Sequence, residues 1–359
     1  MLLESQDKCR YNSFVSACRH GSFLQAWEWG DLKARTGWQP YRLAMEQDGE
    51  IVAAVQLLKR PVPKVRRCLL YSPGGPLFDI EQPELLKALL DEIRTLAREY
   101  GAIAYKMDPA IVAGDTAHTQ LFTRHGLRPA ASSKQAFGGT QPRYVMQVDI
   151  SPPEDEILAA FKSKWRYNIR LAGRRGITIS TDCGRDQVAD FYRILLETAQ
   201  RDGFGVRAES YFYDMYDLLI TAGLGSLFMA TCDGEPIAGA ITVALGSHAW
   251  YLYGASSNRH REKMPNHLLQ WEMMRWAKAR GCSVYDMRGV AHKDDTDSPL
   301  YGLNRFKEGF AAQYVEYIGE WDLIYSPIWY GLFRIAEPSI RKLRLLRAGR
   351  PKLTPTPED

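Results

Sequence analysis

Asp48-Gly49-Glu50-Ile51-Val52-Ala53 and Asp233-Gly234-Glu235-Pro236-Ile237-Ala238 are the stretches that decide the fold, because one turn is used twice. Each sets a glycine-containing turn between short apolar, β-rich runs. The runs are Tyr41 to Met45 and Ile51 to Leu58 in the first, Leu227 to Thr231 and Ile237 to Leu245 in the second. Both therefore predict a β-hairpin. Further on, Ala97-Arg98-Glu99-Tyr100-Gly101-Ala102-Ile103-Ala104-Tyr105-Lys106-Met107 is echoed by Ala277-Lys278-Ala279-Arg280-Gly281-Cys282-Ser283-Val284-Tyr285-Asp286-Met287. Each copy reads as a helix end, a glycine cap and a strand. The helices leading in are Pro83 to Tyr100, striped by Leu85, Leu86, Leu89, Leu90, Ile93 and Leu96, and Pro265 to Arg280, striped by Leu268, Leu269, Met273 and Trp276.

The two turns lie 185 residues apart and the two glycine caps 180 apart, in the same order. Twin α+β units follow, each built as helix, hairpin strands, helix, strand, with the changeover near Pro142 to Pro153. Two unrelated α/β domains with coincidental turns is the alternative. The 359 residues suit two domains, and 45% hydrophobic with 25% charged residues is globular composition. A net charge of +4 excludes a histone-like polycation but permits local basic patches. No apolar run is long enough to span a membrane, and the N-terminus lacks a secretory signal. Six scattered cysteines without a CxxC pair read as reduced thiols of a cytoplasmic protein.

No GxxxxGK[ST], HExxH or GxSxG motif occurs, and the seven histidines show no ligand spacing stronger than His260 and His267, so no metal is expected. Gln200-Arg201-Asp202-Gly203-Phe204-Gly205 fits a Q-x-x-G-x-G pyrophosphate loop, but it follows a helical run, where glycines end a helix. The most informative stretch for function is Phe161-Lys162-Ser163-Lys164-Trp165-Arg166-Tyr167-Asn168-Ile169-Arg170-Leu171-Ala172-Gly173-Arg174-Arg175-Gly176, with six basic residues and no acidic one. A helix over 158–175 would align Lys162, Arg166, Arg170 and Arg174 on one side, with Phe161, Trp165 and Ile169 as the apolar stripe that docks it. Such a face is either solvated or binds a polyanion, and the absence of interleaved acids favours the polyanion.

The pattern Lys164, Arg166, Ile169, Arg170, Ala172, Gly176 and Ile177 resembles the Fem family of peptidoglycan bridge-forming aminoacyl transferases. The likeness runs along nearly the whole chain. It takes in Gln25-Ala26-Trp27 with Trp29 through Lys33, Tyr71-Ser72-Pro73-Gly74-Gly75-Pro76, Tyr105-Lys106-Met107-Asp108-Pro109, and Gln141-Pro142-Arg143. Arg207 to Phe212, Trp250 through Ser256, Leu303 to Phe310 and Tyr317-Ile318-Gly319-Glu320 complete it. The resemblance implies two GNAT-like domains, expected at 1–147 plus 320–359 and at 148–319. It also implies aminoacyl-tRNA as co-substrate, with no separate cofactor. The implied acceptor is the stem-peptide side-chain amine of a UDP-linked muropeptide (UDP-MurNAc-pentapeptide) or of lipid II. Some members carry a coiled-coil arm; the short segment between the basic helix and Gln187 leaves no room for one here.

Attack of an amine on a tRNA ester needs a neutral amine, a polarised carbonyl and aligned reactants, without a covalent enzyme intermediate. A cation suits the developing oxyanion and a carboxylate can take the amine proton. By match to the family, Lys307 supplies the cation, and Asp108 and Glu320 are the carboxylate candidates. Lys33 and Arg207 match phosphate-contacting positions, and Tyr211, Tyr253 and Phe306 match the same substrate pocket. Arg207 and Tyr211 share a face if residues 208–218 are helical. Lys162, Lys164, Arg166, Arg170 and Arg174 are the expected tRNA contacts. Where some members have an aromatic before the D-P strand, this chain has Ile103. In the tail, Ile328, Trp329, Tyr330, Leu332 and Phe333 precede Arg334, Arg341, Lys342, Arg344, Arg347, Arg350 and Lys352, so the 328–352 segment is expected to lie on an anionic membrane surface. Packing of that tail on the first domain is the alternative. The expected location is the cytoplasm or the inner face of the membrane. Two other functions compete: an N-acyltransferase using acyl-coenzyme A, and a non-catalytic RNA-binding module.

Overall fold

The computed structural model describes residues 1–63, 65–130 and 139–335. Helices α1 (Lys8–Ala17) and α2 (Trp27–Ala34) lead into strands β1 (Gln39–Gln47), β2 (Glu50–Pro61) and β3 (Cys68–Gly74). Helix α3 (Pro83–Glu99) crosses to β4 (Ala102–Pro109), followed by α4 (Thr116–Arg124) and the short β5 (Arg128–Pro129). The second half runs β6 (Tyr144–Asp149), α5 (Glu154–Ala160), α6 (Ser163–Arg174), β7 (Ile177–Ser180), α7 (Val188–Asp202) and α8 (Glu209–Met215). Then come β8 (Gly225–Cys232), β9 (Glu235–Leu245), β10 (His248–Ser256), α9 (Pro265–Ala279), β11 (Val284–Gly289), α10 (Tyr301–Glu308), β12 (Gln313–Glu316) and β13 (Trp321–Ile324).

Two mixed sheets result, ordered β1-β2-β3-β4-β13-β5 and β12-β6-β11-β10-β9-β8-β7. Read from the hairpin, the second is β8-β9-β10-β11-β6-β12, with β7 added outside the hairpin. The plan is the same in both. An antiparallel hairpin leads to a strand that pairs parallel with the strand after the crossover helix, β3 with β4 and β10 with β11. An antiparallel strand then covers that crossover strand, β13 on β4 and β6 on β11. Asp48 and Gly49 have φ of 51° and 84°, and Asp233 and Gly234 have 52° and 81°. Two successive positive φ angles match the strand twist across a two-residue loop, and Asp-Gly bears them at low cost.

Helix α3 buries Leu85, Leu86, Leu89, Leu90 and Ile93 on the first sheet, and α9 buries Leu269, Met273 and Met274 on the second. Each such side chain contributes roughly 1.5–3 kcal/mol of burial. The sheets meet through Phe23, Leu24, Trp29 and Leu32 of the first half, packed with Phe191, Phe212, Leu227 and Trp250 of the second. The chain changes sheets before residue 147: Tyr144 already pairs with Glu316 in the second sheet, and Trp321 returns to the first opposite Met107.

The single basic helix expected over 158–175 is two helices. Phe161 and Lys162 are extended, with ψ of 150° and 141°, and separate α5 from α6. Phe161 turns inward against Trp271 and Phe310, while the Lys162 N–H donates to the Gly309 carbonyl at 2.9 Å. Tertiary packing thus overrides local helix propensity. Only β7 and short turns stand between α6 and α7. A last helix runs over residues 327–335; the remainder of the expected 328–352 segment lies outside the described residues. Among the described residues no helix is long and apolar enough to cross a membrane.

Candidate active site between the two halves

Lys33 lies on α2, Arg207 just before α8, Tyr211 on α8 and Tyr253 on β10, yet the fold brings all four together. Lys33 Nζ donates to the Tyr211 hydroxyl at 2.9 Å and lies 3.9 Å from the centre of the Trp29 ring. The Arg207 guanidinium stacks on Tyr211 at 4.6 Å and hydrogen-bonds Tyr253. Tyr253 follows a bulge in which β10 slips one residue against β9 between Tyr251 and Tyr253, which re-aims the ring. Burial lowers the Lys33 ammonium to about 7, and the neighbouring Arg207 adds to the shift. Two cations held side by side, with no carboxylate between them among the described residues, make a site for a multiply charged anion.

The second cluster sits where β3 and β4 end. The Tyr71 hydroxyl donates to Asp108 Oδ2, and the Gly74 N–H donates to Oδ1 at 2.9 Å. Burial raises Asp108 to about 7 despite these two bonds, and Glu320 adds to the rise. Glu320 behaves differently. Burial pushes it up, but Lys106 at 3.5 Å and the Thr140 N–H at 2.6 Å outweigh that and leave it below the usual glutamate range. The two carboxylate candidates are thus neighbours with opposite shifts, and Asp108 alone is poised to take a proton near neutrality. The glycine turn is shaped by Gln25, whose Nε2 donates to the Pro73 carbonyl at 2.7 Å. A Cβ on Gly75 would lie 2.6 Å from that side chain, so any larger residue would have to displace Gln25 and break this bond.

Lys307 is buried in the second half. Asn304 holds α10 in place through both hydrogen bonds of the Ala291 backbone, and Lys307 Nζ donates to the carbonyls of Gly289 at 2.8 Å and Arg288 at 3.2 Å. Its third N–H has no acceptor among the described residues. Burial brings its ammonium to about 7, with Asp286 opposing and Arg288 adding to the shift. Lys307 touches neither Asp108 nor Glu320. A polar chain joins them instead: Arg288 Nη2 donates to Gln141 Oε1 at 3.0 Å, and Gln141 hydrogen-bonds Tyr71, which holds Asp108. Arg288 has a strained φ of 64°, and its N–H donates to Asp286 Oδ1 at 2.6 Å.

Other expected positions are placed differently. Phe306 packs with Trp165, His267 and Phe310, away from the Lys33 cluster, and its carbonyl accepts the Trp165 indole N–H at 3.0 Å. Arg166 points back to the end of α5 and donates to the carbonyls of Ala159 and Phe161, so the break in the helix consumes it. Lys162 stands at the break and pairs with Glu308 at 3.6 Å. Lys164, Arg170 and Arg174 are exposed on α6, and Arg175 is exposed just past its end. Gly203 ends α7 with φ of 72°, its N–H bonded to the Ala199 carbonyl, so the Gln200–Gly205 stretch is a helix cap. Among the described residues no group of side chains could hold a metal. Arg288, Asp286 and Gln141 are the site residues that sequence reading omitted. Superposing the two repeats would have flagged the first two, since Asp286 and Arg288 stand where the first half has Lys106 and Asp108.

The architecture is that of paired GNAT-like units. A tandem GNAT protein from the clavulanic acid biosynthesis pathway shares the fold with a TM-score of 0.50 at 13% identity, covering 84% of this chain and 94% of its own. The FemAB family model matches residues 7–233 and 226–338, and the chain belongs to that family. It is 30% identical to a lipid II:glycine glycyltransferase of Staphylococcus aureus, over 93% of this chain and 96% of the relative. The crystal structure of FemX superposes with a TM-score of 0.85 at 28% identity, covering 92% of this chain and 99% of FemX.

Proposed function

We propose that this chain transfers an amino acid from aminoacyl-tRNA to the stem-peptide side-chain amine of a peptidoglycan precursor, building an interpeptide bridge. The observation that carries the reading is the convergence of Lys33, Arg207, Tyr211 and Tyr253 across the two halves, in a chain of the FemAB family. The likeness to a glycyltransferase named for lipid II supports a muropeptide precursor as acceptor.

In this reading the paired cations hold the precursor diphosphate, and its peptide reaches toward Asp108. The acceptor amine attacks the ester carbonyl; a carbon–nitrogen bond forms and the carbon–oxygen bond to the tRNA ribose breaks. Asp108 takes the proton the amine loses, and that proton returns to the leaving ribose oxygen. The free N–H of Lys307 faces the developing oxyanion, in surroundings dry enough to strengthen it. Exposed Lys164, Arg170 and Arg174 hold tRNA phosphates.

Incubation with charged total tRNA and either UDP-linked or lipid-linked precursor, followed by mass measurement, tests this. The expected product is the precursor plus one or more aminoacyl residues, abolished by ribonuclease. Acylation driven by a coenzyme A thioester without tRNA would overturn it in favour of an ordinary N-acyltransferase. Tight tRNA binding without amine acylation would leave an RNA-binding module.

A further inference from the structure

Away from the interdomain site, a cavity of about 560 Å³ opens where α3 and β13 meet the root of the last helix. Arg67, Arg94 and Arg98 line it, with Tyr325 and Ser326. Arg94 is engaged by Asp91 at 2.7 Å and by the His125 carbonyl. Arg67 and Arg98 have no carboxylate partner among the described residues. The Tyr325 hydroxyl, buried beside Arg94 and Arg98, also lacks a hydrogen-bond partner among the described residues. Two free guanidinium groups and an unsatisfied hydroxyl together call for an oxyanion, since a buried hydroxyl without an acceptor carries a desolvation penalty.

The helix over residues 327–335 starts immediately after Ser326 and carries the second observation. Ile328, Leu332 and Ile335 are 78%, 54% and 80% exposed, and their spacing puts them on one face. Trp329, half-buried on the inner side, lies 6.0 Å from the Arg67 guanidinium, which ties helix and cavity together. Beyond the helix the sequence adds Arg341, Lys342, Arg344, Arg347, Arg350 and Lys352. An apolar helical stripe does nothing for a nucleic acid or a free phosphate. It is rewarded by the acyl boundary of a bilayer, while the arginines are rewarded by anionic headgroups.

We infer that the Arg67–Arg98–Tyr325 cavity and the 327–335 helix form one docking site for an anionic phospholipid surface, the phosphate seated in the cavity and the Ile328–Leu332–Ile335 stripe immersed beside it. Binding needs no turnover, so the site stands or falls independently of the transfer reaction.

Co-sedimentation of the full chain with phosphatidylglycerol vesicles and with phosphatidylcholine vesicles is the test. At least a tenfold preference for phosphatidylglycerol is expected. Arg67→Gln with Arg98→Gln should reduce that binding on the order of tenfold, by removing two surface cations. Ile328→Ser with Ile335→Ser should reduce it by a similar factor. Tyr325→Phe, which keeps the ring, should cost several-fold and guards against a fold defect in the arginine pair, as do unchanged melting temperatures. Equal binding to both vesicles would overturn the proposal, as would full binding by the isoleucine variant. Binding of inorganic phosphate lost in the arginine variant, with vesicle binding unchanged, would reassign the cavity to a small anion and overturn it too.

Discussion

The ends of β4 and β11 occupy equivalent places in the two sheets, and their charges are inverted. Lys106 and Asp108 in the first half stand where Asp286 and Arg288 stand in the second. Across the sheet, Lys106 faces Asp322 on β13 and is held by it at 3.0 Å, whereas Asp286 faces Gln147 on β6 and accepts from its amide at 3.2 Å. One half therefore sets a half-buried cation among its carboxylates and leaves Asp108 as a weak acid near 7. The other buries an anion beside a lysine whose ammonium also falls to about 7. A duplicated scaffold thus carries a shifted carboxylate on one side and a shifted ammonium on the other, with Tyr71, Gln141 and Arg288 as the hydrogen-bonded link.

The comparison breaks first at Asp108. Asp108→Asn should lower turnover by about 10²–10⁴, the usual range for a general base, while precursor affinity measured directly stays close to wild type. Lys307→Met should cost about 10²–10³ in turnover and in kcat/KM alike, as for a contact strengthened in the transition state. The pH profile sharpens the pairing. The proposed reaction needs Asp108 ionised and Lys307 protonated, so activity should fall on the acid side as Asp108 gains its proton and on the alkaline side as Lys307 loses its own. Both limbs should lie near pH 7, and Lys307→Arg should move only the alkaline one.

Lys33→Met is expected to act on binding, raising KM for the precursor roughly 10–100-fold with turnover little changed. It has a further signature. Because burial holds the folded Lys33 near 7, the unfolded chain keeps its proton to higher pH, so wild-type stability gains from this group between about pH 7 and the ordinary lysine range. Melting curves of the variant should lose that part of the rise. The smallest effect separates the two kinds of arginine on the basic segment. Arg170→Gln with Arg174→Gln should reduce the salt slope of tRNA binding by roughly 0.7–0.9 per contact. Arg166→Gln should leave the slope intact and lower stability by about 1–3 kcal/mol, since it abandons two helix-end carbonyls.

The hairpins, crossover helices and glycine caps were legible in the sequence because their signals are local: an Asp-Gly pair, a leucine stripe, a glycine at positive φ. The grouping of Lys33 with Arg207 was reachable only through family resemblance, because the two residues meet across a packing interface built from Phe23, Trp29 and Trp250. The break at Phe161 and Lys162 was not legible at all. Its causes are Trp271, Phe310 and the Gly309 carbonyl, all more than a hundred residues away in the chain. The link through Arg288 was hidden for a different reason: its φ of 64° is one that arginine seldom adopts, so no local pattern announces it.

The return of β13 to the first sheet bears on how the chain is made. Trp321 pairs with Met107, and Asp322 is one of the two acids, with Glu320, that balance half-buried Lys106. At about 5–20 residues per second, a ribosome spends roughly 10–40 s between these two points. Throughout that interval β4 is an open edge with an unpaired row of N–H and C=O groups. The first half cannot close until the entire second half has been synthesised. Nascent chains stalled before Trp321 are thus the species on which a chaperone would act, and a chain cut just ahead of β13 should aggregate through β4 even though the candidate catalytic residues Asp108, Lys307 and Glu320 all lie upstream of that strand.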